Sequence, residues 1–74
     1  DLLEMHIQAD LLNKLKPLLN DSRQWQHFSN YIDFVINQHL KILEQSTNTI
    51  LLYKAQGAVE ILNKLKNLDK FVRD

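Results

Sequence analysis

Apolar residues recur at three- and four-residue steps through the last third of the chain, from residue 47 to residue 72. Such steps return side chains to one side of a 3.6-residue helix, so the pattern predicts a long amphipathic helix over residues 48–72. An apolar helix face needs a covering partner, and the preceding segment supplies one. The positions that define this face are Ile50, Leu51, Ala58, Ile61, Leu62, Leu65, Leu68 and Val72.

A second long helix is predicted over residues 22–45, with Asp21 or Ser22 as its N-cap. The polar residues from Ser46 to Thr49 favour caps and turns over helix interiors, so the chain is expected to reverse there. A connection this short makes the two long helices antiparallel neighbours. The apolar stripe of the second helix comprises Trp25, Phe28, Ile32, Val35, Ile36 and Leu43.

A shorter first helix is predicted over residues 2–16. One of its faces carries Met5, Ala9 and Leu12, and another carries Leu11, Leu15 and Leu18. Pro17 lacks an N–H and disfavours helical geometry at the residue before it, so it is expected to end or kink this helix, or to open a short new turn. The predicted fold is therefore all-α, an antiparallel hairpin of two long helices with a shorter N-terminal helix that packs on it or is swapped to a neighbouring chain.

Apolar residues on the two long helices exceed what one hairpin covers, and this predicts a homo-oligomer, a dimer or higher, most simply a four-helix-type bundle.

Gly57 lies in the middle of a predicted helix, where glycine costs about 1 kcal/mol relative to alanine. A close helix crossing, with Trp25 filling the space beside the glycine, would explain this cost; the alternative is that the glycine has no packing role and is merely tolerated. His39 is expected at the core edge or in an interface. The predicted packing and interface positions are Trp25, Phe28, Tyr31, Phe34, His39, Leu52, Gly57, Val59 and Leu65, of which Tyr31, Phe34, Leu52 and Val59 are expected to face away from the hairpin contact.

Composition narrows the classes of function. The 74 residues allow one domain, and the absence of cysteine excludes disulfides. Nine basic and nine acidic residues give zero net charge, which argues against strong non-specific binding to nucleic acid or to a membrane. No apolar run approaches the roughly 20 residues of a membrane span.

Motifs for chemistry are not apparent. The chain has no Gly-rich phosphate loop and no nucleophile elbow, and its three histidines lack the spacing of a metal site. An enzyme, a cofactor and a metal are therefore not expected. A basic segment formed by Lys64, Lys66, Lys70 and Arg73 could instead contact a phosphate backbone, which makes a nucleic-acid-binding helical dimer the alternative function.

A resemblance to a known group of proteins rests on three short patterns. These are Trp25-x-x-Phe28-x-x-Tyr31-Ile32, Tyr53-x-x-Gln56-Gly57 and the Leu62, Leu65, Leu68 spacing. Together they resemble small helical-hairpin proteins encoded by tailed bacteriophages. The resemblance implies an accessory or assembly subunit that binds virion or assembly proteins and resides in the virion or the host cytoplasm. A small inhibitor or adaptor of a host protein is a further alternative.

Overall fold

The computed structural model describes residues 1–72, and these form four helices and no strand. They are α1 (Leu2–Asn20), α2 (Ser22–Gln45), α3 (Thr49–Lys66) and the short α4 (Asp69–Val72). α2 and α3 contact each other along their length as an antiparallel pair, and α1 contacts α2 and α4. The predicted all-α hairpin with an additional N-terminal helix is therefore confirmed.

Polar side chains begin the helices at the predicted breaks. The Asp21 carboxylate accepts a hydrogen bond from the Gln24 backbone N–H at 3.0 Å, and Asp21 also ends α1 by donating its own N–H to the Leu18 carbonyl. The Asn48 side chain accepts from the Leu51 N–H at 3.1 Å, which starts α3. Because these caps satisfy helix-end N–H groups, they fix where α2 and α3 begin.

The first helix is longer than predicted. Pro17 lies inside α1, which continues to Asn20 instead of ending at residue 16. The proline removes one backbone hydrogen bond. The turn beyond it carries Leu19, which is fully buried, and burial of this side chain is the physical reason that the helix continues past Pro17.

The third helix is shorter than predicted. It ends at Lys66 rather than near residue 72, and a turn at Asn67 and Leu68 leads into α4. In this turn the Leu68 N–H donates to the Leu65 carbonyl and the Lys70 N–H to the Asn67 carbonyl, three residues back in each case. The turn redirects the chain so that α4 meets α1.

The side of α3 that meets α2 differs from the predicted side. Ala55 is buried, and Leu52, Val59 and Leu62 are half-buried. These residues lie on one side of α3 and mark its contact with α2, hereafter the seam. The prediction that Leu52 and Val59 face away from the seam is therefore wrong. Conversely, four residues of the predicted covered face are exposed: Ile50, Leu51, Ile61 and Leu65.

The core is small for a chain of this length. The buried apolar residues are Leu19 of α1, Trp25, Ile32 and Ile36 of α2, and Ala55 of α3. The Cα atoms occupy a slab of 42 × 34 × 13 Å. Their radius of gyration is 15.2 Å, whereas a compact chain of this length would have about 11 Å. The helices therefore lie in a thin layer with most of their circumference in solvent.

Candidate interaction surfaces

The outer side of α1 carries an apolar stripe in solvent. Leu3, Ile7, Leu11, Leu15 and Leu18 follow each other at steps of three or four residues, and each is 40–68% exposed. Leu12 and Leu19 lie on a different side of α1, which is turned toward the rest of the chain. We call the five exposed residues the outer stripe. The predicted face of Leu11, Leu15 and Leu18 is thus part of a longer stripe, since Leu3 and Ile7 continue the same spacing.

A shallow hollow opens on this outer stripe. It is lined by Glu4, Ile7, Gln8, Leu11 and Leu12. The first four occupy positions i, i+3, i+4 and i+7, which is the diamond of residues that accepts one side chain of a facing helix in a coiled coil. A second hollow, lined by Gln8, Leu12, Lys64 and Leu68, connects α1 with the end of α3.

Two aromatic residues stand on the outer side of α2. Tyr31 and Phe34 are 64% and 57% exposed, and their rings stack with centroids 6.5 Å apart. Their outward position agrees with the prediction. Phe28 also lies at the surface, with its ring 5.2 Å from that of the buried Trp25. Exposed aromatic side chains at helical spacing are typical of protein interfaces.

The outer side of α3 is apolar as well. The exposed residues there are Tyr53 and four residues that were predicted to lie on the covered face, namely Ile50, Leu51, Ile61 and Leu65. The predicted interface residue Leu65 therefore lies in solvent rather than in the seam. Each of the three long helices thus presents apolar side chains that the described part of the chain leaves uncovered.

Gly57 does not mark a close helix crossing within the chain. Apart from its chain neighbours and the backbone of its own helix, no atom lies within 4 Å of where a Cβ atom of this residue would be, and Gly57 is exposed. Trp25 does not fill space beside it either. The Trp25 side chain lines a hollow together with Lys66, Asn67 and Lys70, about three turns farther along the chain. The predicted Gly57–Trp25 packing is therefore wrong for the isolated chain.

His39 is half-buried on α2 at the edge of the core. Its Nδ1 atom lies 2.9 Å from the Val35 carbonyl oxygen, one turn earlier. The position agrees with the predicted core-edge histidine. Among residues 1–72, no three His, Asp or Glu side chains are placed to hold a metal ion.

The basic segment is only partly available to a ligand. Lys66 Nζ lies 2.5 Å from Asp33 Oδ1 of α2, so this amine is engaged by a carboxylate inside the fold. Lys70 lines the same hollow as Asp69, and Lys64 lies beside Leu68 and α1. Arg73 lies outside the described residues. Among the described residues, Lys64, Lys66 and Lys70 therefore do not form a uniformly basic surface.

Across residues 1–72, each helix is too short or too polar to span a membrane. No protein-family model matches the chain, and neither a curated protein nor a solved structure shows a significant match to it.

Proposed function

We propose that this chain is a small structural subunit that acts by binding other polypeptides through its apolar helix faces, and that it is not an enzyme. The observation that carries the proposal is the amount of apolar surface left open. Seventeen large apolar side chains are exposed among the described residues, whereas five apolar residues are buried.

The total accessible surface supports the same view. It is 5994 Å², whereas a compact monomer of 8.8 kDa exposes about 4,800 Å². The excess of about 1,200 Å² is larger than the roughly 800 Å² that each partner buries in a protein–protein interface of standard size. Covering such a surface stabilises an assembly at roughly 25 cal/mol per Å² of apolar area, before the costs of association.

A second copy of the chain is one source of that cover, and we propose a homo-oligomer, most simply a dimer that forms a helical bundle. Light scattering coupled to size exclusion tests this at tens of micromolar protein. The expected mass is twice that of the chain or more. A monomer mass at that concentration would contradict self-association.

A narrower proposal is that the chain is an accessory or assembly protein of a tailed bacteriophage and resides in the virion or the host cytoplasm. The sequence resemblance alone supports it. Affinity purification from the native source tests it. Co-purification with virion proteins would support it, whereas recovery of one host enzyme would favour an inhibitor or adaptor.

The nucleic-acid alternative is less well supported, because Asp33 engages Lys66 and Asp69 adjoins Lys70. It predicts binding to duplex DNA with an affinity that falls steeply as salt rises. A fluorescence titration at 50 and 200 mM salt tests it. If the chain is instead an interaction subunit, we expect only weak binding to DNA at low salt. That binding should not depend on the basic segment, so the Lys64→Ala, Lys70→Ala double variant should bind DNA as the wild type does.

A further inference from the structure

We infer that α1 binds α1 of a second copy of this chain, antiparallel, through the outer-stripe residues up to Leu15 together with Glu4 and Lys14. This inference rests on the proposed function, and it names the surface and the partner. It is supported by the order of side chains along α1, by the hollow on its outer side and by its charges.

The exposed side of α1 has a two-fold pattern centred on position 9. Six residues lie on it within an arc of about 120°, given roughly 100° of rotation per residue. Reversing the helix about position 9 exchanges Leu3 with Leu15, and Ile7 with Leu11. The same reversal exchanges Glu4 with Lys14. A second copy placed antiparallel therefore sets apolar residues against apolar residues, and each acid against a base. The six positions are Leu3, Glu4, Ile7, Leu11, Lys14 and Leu15.

The shape of α1 fits this arrangement. The hollow also touches Leu12, but the diamond of Glu4, Ile7, Gln8 and Leu11 within its lining is centred between positions 7 and 8. If two copies pair symmetrically about position 9, Leu11 of the second copy lies opposite the hollow of the first copy. Leu11 of the first copy then lies opposite the equivalent hollow of the second copy. One leucine from each copy thus fills a site that the chain already provides.

The charges select the antiparallel orientation. Side chains of Glu4 and Lys14 are 83% and 71% exposed, so both can reach a partner. Lys14 Nζ already lies 3.0 Å from Asp10 Oδ2 on the same helix, but such an exposed pair holds the amine only weakly. A parallel pairing would place Glu4 against Glu4 and Lys14 against Lys14. Like charges facing each other in this way are destabilising, which disfavours the parallel dimer.

The first experiment reverses the charges. Glu4→Lys and Lys14→Glu are each expected to weaken self-association about tenfold, because two attractive pairs become repulsive in each dimer. An equimolar mixture of the two variants is expected to associate again, since every facing pair in the mixed dimer has opposite signs. Sedimentation equilibrium measures the dissociation constants. Circular dichroism under conditions where the variants are monomeric checks that each one folds.

The second experiment determines the register, and it is simple because the chain has no cysteine. Ile7→Cys and Leu11→Cys are prepared separately and oxidised. A disulfide between positions 7 and 11 is expected only when the two variants are mixed. The Ile7→Cys variant alone should form no disulfide, because residue 7 of one copy and residue 7 of the other lie too far apart along antiparallel helices to be bridged.

The outcomes separate this inference from the broader proposal. Crosslinking of Ile7→Cys with itself would indicate a parallel pair and overturn the inference. Association that is unaffected by the charge reversals would place the self-contact on another face, and the inference would fail while the interaction-subunit proposal stands. If the wild-type chain is monomeric and the charge-reversal variants lose a protein that co-purifies with the wild type, the outer stripe binds that protein instead of a second copy.

Discussion

At the scale of single residues, Gly57 shows how a sequence signal can point to the wrong cause. A lone mid-helix glycine suggested close packing, yet the space around Gly57 is open. Gly57→Ala should therefore raise the free energy of unfolding by about 0.5–1 kcal/mol, because alanine loses less backbone entropy on entering a helix. Urea denaturation measures the change. A loss of stability or of self-association would instead indicate that another molecule approaches the backbone at this position.

The Lys66–Asp33 pair connects α3 to α2, but both side chains remain partly in solvent. Asp33→Asn should lower the free energy of unfolding by no more than about 1 kcal/mol, since exposed ion pairs contribute little and are screened by salt. Thermal unfolding at 50 mM and 1 M NaCl tests this, with Asp10→Asn as the control for an ion pair inside one helix. A large loss that persists at 1 M NaCl would contradict this estimate.

At the scale of helices, burial of Leu19 holds α1 against the hairpin. It is fully buried, while residues 2–11 of α1 are all exposed. Leu19→Ala should therefore destabilise the fold by about 3 kcal/mol, from lost burial and the cavity that remains. The control Leu2→Ala removes the same atoms from a side chain that is 73% exposed, and it should change stability by less than about 0.5 kcal/mol.

Chemical denaturation of both variants compares the two losses. If Leu19→Ala matched its control, α1 would not be held by this contact. Hydrogen exchange adds a second test, because detachment of α1 should remove protection from its amides and leave those of Ile32 and Ile36 protected.

The helices themselves could be predicted from the sequence more reliably than their contacts. The polar residues at Asp21 and Ser22 and from Ser46 to Thr49 predicted the breaks, and the repeat of apolar residues predicted the helix type. The seam side of α3 could not be predicted, because apolar residues surround most of that helix and two different faces satisfy the same spacing. Choosing between them depends on the fit of Ala55 and Leu62 against α2, which periodicity alone does not encode. The continuation of α1 past Pro17 likewise depends on tertiary burial of Leu19.

At the scale of the whole molecule, the thin open shape explains why the candidate surfaces were only partly predicted. The sequence showed that apolar residues exceed what one hairpin can cover. It did not show that α1 would leave its outer stripe in solvent, because that depends on the angle at which α1 leaves Asp21 and on its contact with α4. The surplus of apolar residues thus indicated an interface, and the structure indicates which faces remain uncovered.

If assembly covers those faces, stability must depend on protein concentration. A partner that binds only the folded chain shifts the unfolding equilibrium by mass action. For a dimer of this size, with an unfolding enthalpy of roughly 0.7 kcal/mol per residue, Tm should rise by about 5 °C for each tenfold increase in protein concentration. Circular dichroism at 222 nm, recorded from about 1 to 100 μM protein, measures this shift.

The Lys14→Glu variant serves as the control, and its Tm should vary less with concentration over the same range. A wild-type Tm that stays constant would mean that the lone chain is stable with its apolar faces in water, and self-association would then contribute nothing to the fold.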